Sequence, residues 1–317
     1  MNLSVIIVAY NSSATLARGC RAAARLLPDA ELIVVDNASE DDTREIAAQL
    51  GVVVVENPTN VGFGRACNRG AANAHGSHLL FMNPDVELTD VDRPVLDRLN
   101  SNMPFGLLAP ELHGATAGGS LGEHWLRDLL RHGLGPLRPR ELPAFTRKRA
   151  RPADWWPVGA MLLVRKDEFT ALGGFDPRYF LYYEDRDLAR RYRARGMPAS
   201  VIDSLRGTHQ RGTSSEGQLA GVVVRQAWSL LSWIEYLCVW HGHQTAIRAA
   251  RTAAWLRAAA RGILSLLEHL GPLQQRVSRK RLEFAEVDSF VRWQCSFAPG
   301  TAEQDFCPQS RRIMGRR

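Results

Sequence analysis

Cysteine is scarce in this 317-residue chain. The five residues, Cys20, Cys67, Cys238, Cys295 and Cys307, are scattered and show no CxxC spacing. An odd, dispersed set argues against a disulfide framework and a thiolate zinc site, and it fits a reducing compartment. No GxxxxGK[ST] phosphate loop occurs. The Gly-rich stretch Gly62-Phe63-Gly64-Arg65-Ala66-Cys67 lacks the third glycine of a dinucleotide fingerprint, so P-loop and NAD readings are weak. Uninterrupted apolar runs are also missing. The longest, Val222 to Trp240, is broken by Arg225, Gln226 and Glu235 and makes a poor membrane span. The N-terminus runs directly into the strand-like Leu3–Val8 without a secretory pattern. The expectation is a soluble or peripheral protein of the cytoplasm, or of the cytoplasmic face of the inner membrane.

Charge is present in excess but unevenly placed. The formal net charge is +7, and from Trp240 onward 13 Arg or Lys face 6 Asp or Glu. The basic character therefore belongs to the C-terminal region. With no coherent patch of basic and stacking aromatic residues, nucleic acid is not the expected partner. An anionic membrane surface suits a basic tail better.

The first third alternates strand-like and helix-like runs. Strands are read at Ser4–Ala9, Glu31–Val35, Val52–Glu56 and His78–Met82, and helices near 13–27, 41–50 and 65–74. Ser39-x-x-Asp42 marks a helix start. Short strands joined by helical crossovers predict an α/β fold, a mostly parallel sheet with helices on both faces. Ligands of such sheets sit beyond the carboxyl ends of the strands. Ala9-Tyr10-Asn11, Asp36-Asn37 and Asn83-Pro84-Asp85 all fall there and are expected to share one crevice. Asp36 has the chemistry to accept from a base N–H, and it is equally an ordinary turn and cap residue. Asp85, released by Pro84, suits a hard divalent cation bridging two phosphates, or a plain turn.

These segments carry a family resemblance. Val5-Ile6-Ile7-Val8-Ala9-Tyr10-Asn11, Val34-Val35-Asp36-Asn37-Ala38-Ser39, Asn60-Val61-Gly62-Phe63-Gly64-Arg65-Ala66-Cys67-Asn68 and Leu80-Phe81-Met82-Asn83-Pro84-Asp85-Val86 resemble the family 2 glycosyltransferases with a GT-A fold. The match continues through Gly159–Arg165, Gly173-Gly174-Phe175-Asp176 and Phe180–Leu188, over roughly residues 1–215. The subgroup it most resembles is the rhamnosyltransferases of bacterial cell-wall and surface-polysaccharide assembly.

The resemblance implies a site. Asp36 would read a pyrimidine base, with Ala9, Tyr10, Asn11, Asn60, Gly62, Phe63, Asn68 and Asn83 around the donor nucleotide. Asp85 stands at the last position of the family's DxD motif, where Asn83 replaces the first aspartate. His209, in His209-Gln210-Arg211-Gly212-Thr213-Ser214, would be a second ligand to Mg²⁺ or Mn²⁺, against the plainer reading of a structural histidine. Asp185, beside Glu184, matches the catalytic base. Trp156, Gly159 and Ala160 would face the acceptor, though Trp155-Trp156 reads as well as core aromatics. An inverting displacement needs such a base on one face and a cation beside the departing diphosphate on the other. Neighbouring carboxylates and the aromatics Tyr179, Phe180, Tyr182 and Tyr183 would raise a carboxyl pKa, whereas a helix start at Glu184 would lower it. Taken alone, Glu184–Arg191 also reads as a solvated charged helix face with Asp187–Arg191 and Arg186–Arg190 pairs.

The expected reaction is inverting transfer of a sugar from a nucleotide-sugar donor, L-rhamnose from dTDP-L-rhamnose, to a glycan or polyprenyl-linked saccharide. UDP-galactofuranose or a UDP-hexose is the alternative donor. A sugar-nucleotide pyrophosphorylase would need a basic Gly-rich loop after the first strand, which Ala9–Ser13 does not offer. A non-catalytic carbohydrate- or membrane-binding relative is opposed by Asp85 and Glu184-Asp185.

The remaining organisation is coarser. Residues 1–225 form the expected catalytic domain, and residues 114–154, rich in Gly, Pro and Arg, read either as a flexible surface insertion or as a loop that orders over bound donor and acceptor. Residues 226–317 read as a basic helical extension ending in a disordered Pro299–Arg317. Over Ala246–Leu270, Leu256, Ile263, Leu267 and Leu270 project within roughly 60°, with Arg248, Arg251, Arg257 and Arg261 outside that arc. That pattern serves packing on the catalytic domain or peripheral membrane contact.

Overall fold

The run Leu-Ser-Val-Ile-Ile-Val-Ala near the N-terminus forms β1 (Leu3–Ala9), buried along its whole length. Burial on both faces is what a central strand flanked by two helical layers requires. In the computed structural model, residues 2–94, 106–113, 119–120, 128, 132–133, 155–197, 199–209, 219–267 and 274–295 are described. The chain continues with α1 (Leu16–Leu26), β2 (Glu31–Asp36), α2 (Thr43–Gln49), β3 (Val53–Glu56), α3 (Phe63–Asn73), β4 (His78–Met82) and β5 (Val86–Val91). Next come β6 (Leu107–His113), β7 (Gly119–Ser120), β8 (Trp155–Trp156), β9 (Met161–Arg165), α4 (Lys166–Ala171), α5 (Glu184–Ala194) and β10 (Ala199–His209). Three long helices close the described chain: α6 (Leu219–His241), α7 (His243–Leu267) and α8 (Gln274–Cys295).

Eight strands form one sheet in the order β3-β2-β1-β4-β9-β6-β10-β5, and β7 pairs with β8 in a small ribbon. Four pairings are parallel and three antiparallel. The expected mostly parallel α/β sheet is therefore present, with β9 and β5 running against their neighbours. Alternation along β1 divides the core. Val5, Ile7 and Ala9 pack with Leu16, Cys20, Ala23 and Ala47 on the α1/α2 side. Ile6 and Val8 pack with Ala66, Cys67, Ala71, Phe175 and Tyr192 on the other. There α3 lies so close to the sheet that a Cβ on Gly70 would stand 2.5 Å from Ile6 Cγ2, so only glycine fits.

One local expectation is corrected. The helix after β2 begins at Thr43 with Asp42, not Ser39, as its N-cap, and Asp42 makes no side-chain cap. Asp41 Oδ1 accepts from the Thr43 amide, while Ser39 Oγ accepts from the Asn11 amide and ties two strand ends together.

The chain divides into two compact units. One holds the sheet, within Met1–Gly122, Ala144–Asp176 and Glu184–Ser214. The other spans Glu123–Pro143, Pro177–Tyr183 and Ser215–Arg317. In the second unit α6, α7 and α8 pack against one another, and Gly242, at φ +84°, makes the turn between α6 and α7. The apolar run of α6 is buried without a break from Ala227 to Cys238, as befits a helix that is hydrophobic all round. Phe180 stacks on Trp228 (ring centroids 4.1 Å apart), and Ser232 Oγ donates to the Leu181 carbonyl at 2.9 Å. Among the described residues no helix is long and apolar enough to cross a membrane.

The predicted face of α7 is displaced. Its buried positions are Ala246, Ala250, Ala253, Arg257, Ala260 and Leu264, while Ile263 is 57% exposed. Small alanines let the helix axes come close. Arg257, expected outside, is admitted because Asp288 Oδ1 accepts from its Nε at 2.7 Å and the His132 carbonyl from its NH1 at 3.0 Å. The side chains of Leu267 and Leu270, nearly all of the 114–154 insertion, and Pro299–Arg317 lie outside the described residues.

Candidate active site

The carboxyl ends of β1, β2 and β4 lie side by side, because Ala9 is in register with Asp36 and Ile7 with Met82. The first group of expected residues gathers at β1–β3. The Asn37 amide donates to the Ala9 carbonyl at 2.8 Å, and Asn37 Nδ2 donates to Asn60 Oδ1 at 2.8 Å. Asn37 Oδ1 accepts from Asn57 Nδ2 and from the Val61 amide. Asn60 Oδ1 also accepts from the Gly62 amide, and Gly62 turns the chain into α3 at φ +82°. Asn37 and Asn57 were not anticipated as organisers of this turn. Their recurrence just after β2 and β3 was the available signal.

Asp36 is buried, and its carboxylate accepts from the Ser39 amide at 3.3 and 3.4 Å. That is the turn reading, with the carboxylate at the strand end where a base edge would lie. Ala9 is wholly buried and offers its backbone, whereas Tyr10 is 44% exposed and leaves its ring open. Asn11 adopts φ +48° and accepts from the Glu40 amide at 2.8 Å. Phe63 packs edge-on to Phe175. Asn68 is engaged with the scaffold. Its amide donates to the Phe175 carbonyl at 2.7 Å and accepts from the Phe175 amide at 2.8 Å, so it clasps the Gly173-Gly174-Phe175 turn.

The second group gathers around β4, β9, β10 and α5. Asn83-Pro84-Asp85-Val86 is a β-turn closed by the Val86 amide donating to the Asn83 carbonyl at 3.1 Å, with proline at its favoured second position. The Asn83 amide donates to the Ala160 carbonyl at 2.9 Å. His209 ends β10 opposite Val86, which brings His209 Nε2 to 3.1 Å from Asp85 Oδ1.

Burial decides the character of the acidic run. Glu184, Asp185, Arg186 and Asp187 are all buried, which corrects the reading of a solvated charged face. The Asp187–Arg191 pair forms at 2.7 Å, and Arg191 NH1 also donates to the Leu172 and Gly174 carbonyls. Asp185 Oδ2 accepts from the Gly159 amide at 2.7 Å, and Oδ1 from the Arg186 amide at 2.7 Å. Burial pushes the Asp185 carboxyl up to about 6 against these two hydrogen bonds. Burial first, then the charge of Asp185, also pushes the Glu184 carboxyl well above the usual range. Glu184 Oε2 is buried without a hydrogen-bond partner among the described residues. The first negative charge of the pair therefore settles on Asp185. The backbone just before this helix is left-handed at both Tyr182 and Tyr183 (φ +70° and +69°), a costly conformation for bulky residues.

Gly159 and Ala160 thus act through their backbone, one holding Asp185 and the other the turn of Asn83. Trp156 is half-buried under the Arg186 guanidinium, 5.8 Å from its ring centroid. A cavity of about 830 Å³ lies at the opposite end of the central strands β1, β4 and β9, by Asn2, His78 and Arg165. Arg165 there pairs with Asp167, and Lys166 Nζ donates to the Ala74 carbonyl.

Residues 4–104 match the family model described as Glycosyl transferase family 2. The chain is 28% identical over 284 residues to the N-acetylglucosaminyl-diphospho-decaprenol L-rhamnosyltransferase of Mycobacterium tuberculosis, covering 80% of this chain and 88% of the relative. It is 24% identical over 220 residues to the low-salt glycan biosynthesis hexosyltransferase Agl10 of Haloferax volcanii, covering 64% and 66%. Among solved structures, the mannosyltransferase PcManGT of Pyrobaculum calidifontis, in complex with GDP-Man and Mn²⁺, is similar in fold. Its TM-score is 0.52 at 14% identity, over 91% of this chain and 86% of that one.

Proposed function

We propose that this family 2 glycosyltransferase carries L-rhamnose from dTDP-L-rhamnose, with inversion, to a hydroxyl of a polyprenyl-linked saccharide in cell-wall or polysaccharide synthesis. The observation that carries the reading is Asp185, a buried carboxylate clasped by the Gly159 amide. The name of the mycobacterial relative supports L-rhamnose as the transferred sugar and a polyprenyl-linked saccharide as acceptor. Free, buried Cys20, Cys67 and Cys238 fit a reducing, cytoplasmic compartment.

Asp185 takes the proton of the acceptor hydroxyl as that oxygen bonds the anomeric carbon and the bond to the diphosphate breaks. A carboxylate near 6 is ionised at neutral pH yet basic enough to help. The Gly159 amide fixes the orientation of Oδ2, while Glu184 stays protonated and leaves the charge to its neighbour. Asp36 and the open ring of Tyr10 face the pyrimidine nucleotide, with Asn11, Asn37 and Asn60 holding the loops beneath it.

The fold family implies a divalent cation. Asp85 and His209 supply one carboxylate and one imidazole within 3.1 Å, and the buried His209 Nδ1 has no hydrogen-bond partner among the described residues. This donor set fits Mg²⁺ or Mn²⁺ completed by donor phosphates and water. Such an ion would neutralise the charge of the leaving diphosphate. Among the described residues no three His, Cys, Asp or Glu converge on a metal, so Asp85 and His209 would hold it together with the donor.

The test is a panel of nucleotide sugars with Mn²⁺. Turnover of dTDP-L-rhamnose above all others is expected, and it should vanish in Asp185→Asn. Preference for a UDP-hexose, which the Haloferax relative's hexosyltransferase name brings into view, would replace the donor and keep the reaction. No turnover or binding of any nucleotide sugar would sink the proposal.

A further inference from the structure

The α7 helix has four arginines and no acidic residue. Two of them are used inside the helical unit, where Arg257 and Arg261 both pair with Asp288. The other two, Arg248 and Arg251, are exposed. Trp255 shares their side of the helix and is 67% exposed, and Ile263, 57% exposed, extends the same face by two turns. At 100° per residue these four side chains fall within an arc of roughly 120°. Between Arg248 and Ile263 the other exposed residues within this arc are Thr252 and Gly262, small enough to leave the tryptophan and isoleucine standing proud. The outer side of α8 is different, with Leu282 exposed between Arg281 and Glu286.

We infer that this face of α7 docks on an anionic lipid surface. Tryptophan places an apolar body and a polar N–H at a membrane interface, and arginine covers apolar surface with its stem while its head meets phosphate. A helix lying in the interface carries this pairing of basic and aromatic residues. Charge complementarity selects the occupant. Two copies of the face would set Arg248 and Arg251 against their own kind, whereas anionic headgroups meet both. The inference deepens the lipid-linked acceptor proposed above and rests on it for its purpose. It adds the surface by which the protein would reach that acceptor.

Co-sedimentation of the full chain with vesicles that contain no acceptor lipid separates the two ideas, since the binding read there owes nothing to the donor. Vesicles of phosphatidylcholine mixed with phosphatidylglycerol should retain the protein, and phosphatidylcholine alone should not. Arg248→Ala with Arg251→Ala should weaken retention about tenfold or more, and Trp255→Ala should weaken it as well. All these positions are exposed, so melting temperature and donor hydrolysis should stay as in the parent. Failure of the parent chain to bind anionic vesicles overturns the inference. So does undiminished binding by both variants, which would place the contact elsewhere. A change of oligomeric state in the variants, read by light scattering, would assign the face to a second copy instead.

Discussion

The Gly159 amide nitrogen lies 2.7 Å from Asp185 Oδ2. A Cβ on Gly159 would stand 3.2 Å from Asp185 Cβ. The residue that holds the carboxylate is thus also the residue whose missing side chain makes room for it. Gly159→Ala should keep the hydrogen-bond donor yet push Asp185 by a few tenths of an ångström. We expect kcat to fall about tenfold or more, because small misplacements of a reacting group are costly, with the KM for donor nearly unchanged. Steady-state kinetics on the folded variant check this.

As the proposed base, Asp185 is expected to set the pH dependence. Activity needs its ionised form, so kcat should fall as pH drops through about 6, and that limb should be absent from the residual rate of Asp185→Asn. The stability sign is opposite. A carboxyl raised from 3.8 to about 6 on folding holds its proton more tightly in the native state. Its contribution to stability is therefore present below 3.8 and lost as pH rises through about 6. Asp185→Asn should lose transfer by about 10²–10⁴-fold and melt higher than the parent at pH 8. Full transfer by the variant would remove Asp185 from the role of base.

Removing Asp85 or His209 should raise the Mn²⁺ concentration needed for half-maximal turnover by about tenfold or more, the scale of a lost metal contact. Isothermal titration with Mn²⁺, with and without dTDP, should show that the cation binds well only when the nucleotide is present. Undiminished activity in a chelator would take both residues out of a metal role.

Asn68 separates scaffold from site. Asn68→Ala leaves the Phe175 amide and carbonyl without their side-chain partners and should cost about 1–3 kcal/mol of stability. The donor KM should stay within about twofold below the unfolding temperature, a change worth well under 1 kcal/mol. A large rise in KM with an unchanged melting curve would return Asn68 to the nucleotide pocket.

Much of the sheet was readable from the chain. β4 falls where His78–Met82 predicts it, and β1–β3 differ from expectation by a residue at an end, because buried parallel strands are short apolar runs with clear breaks. The placement of Asp36, Asp85 and Glu184-Asp185 at element ends followed from that pattern. Long-range consequences did not. Nothing local distinguishes a buried acidic helix start from a solvated one, since Glu184–Asp187 owe their burial to residues distant in sequence. Asn68 clasping Phe175 across 107 positions was hidden for the same reason. The packing side of α7 is not legible from its leucines and isoleucine, because the close packing uses Ala246, Ala250 and Ala253 and tolerates a paired arginine.

The peptide that precedes the proposed base belongs with the helices. Pro177–Tyr183 belongs to the helical unit, with Phe180 on Trp228 and Leu181 held by Ser232, while the next residue, Glu184, belongs to the unit of the sheet. The catalytic part is consequently not a cassette. A chain ended after β10 would contain every residue assigned to chemistry, yet it would orphan the seven residues leading into Glu184 from the helix that holds them. Engineering a shorter enzyme, or grafting the donor end onto another protein, has to carry α6 along.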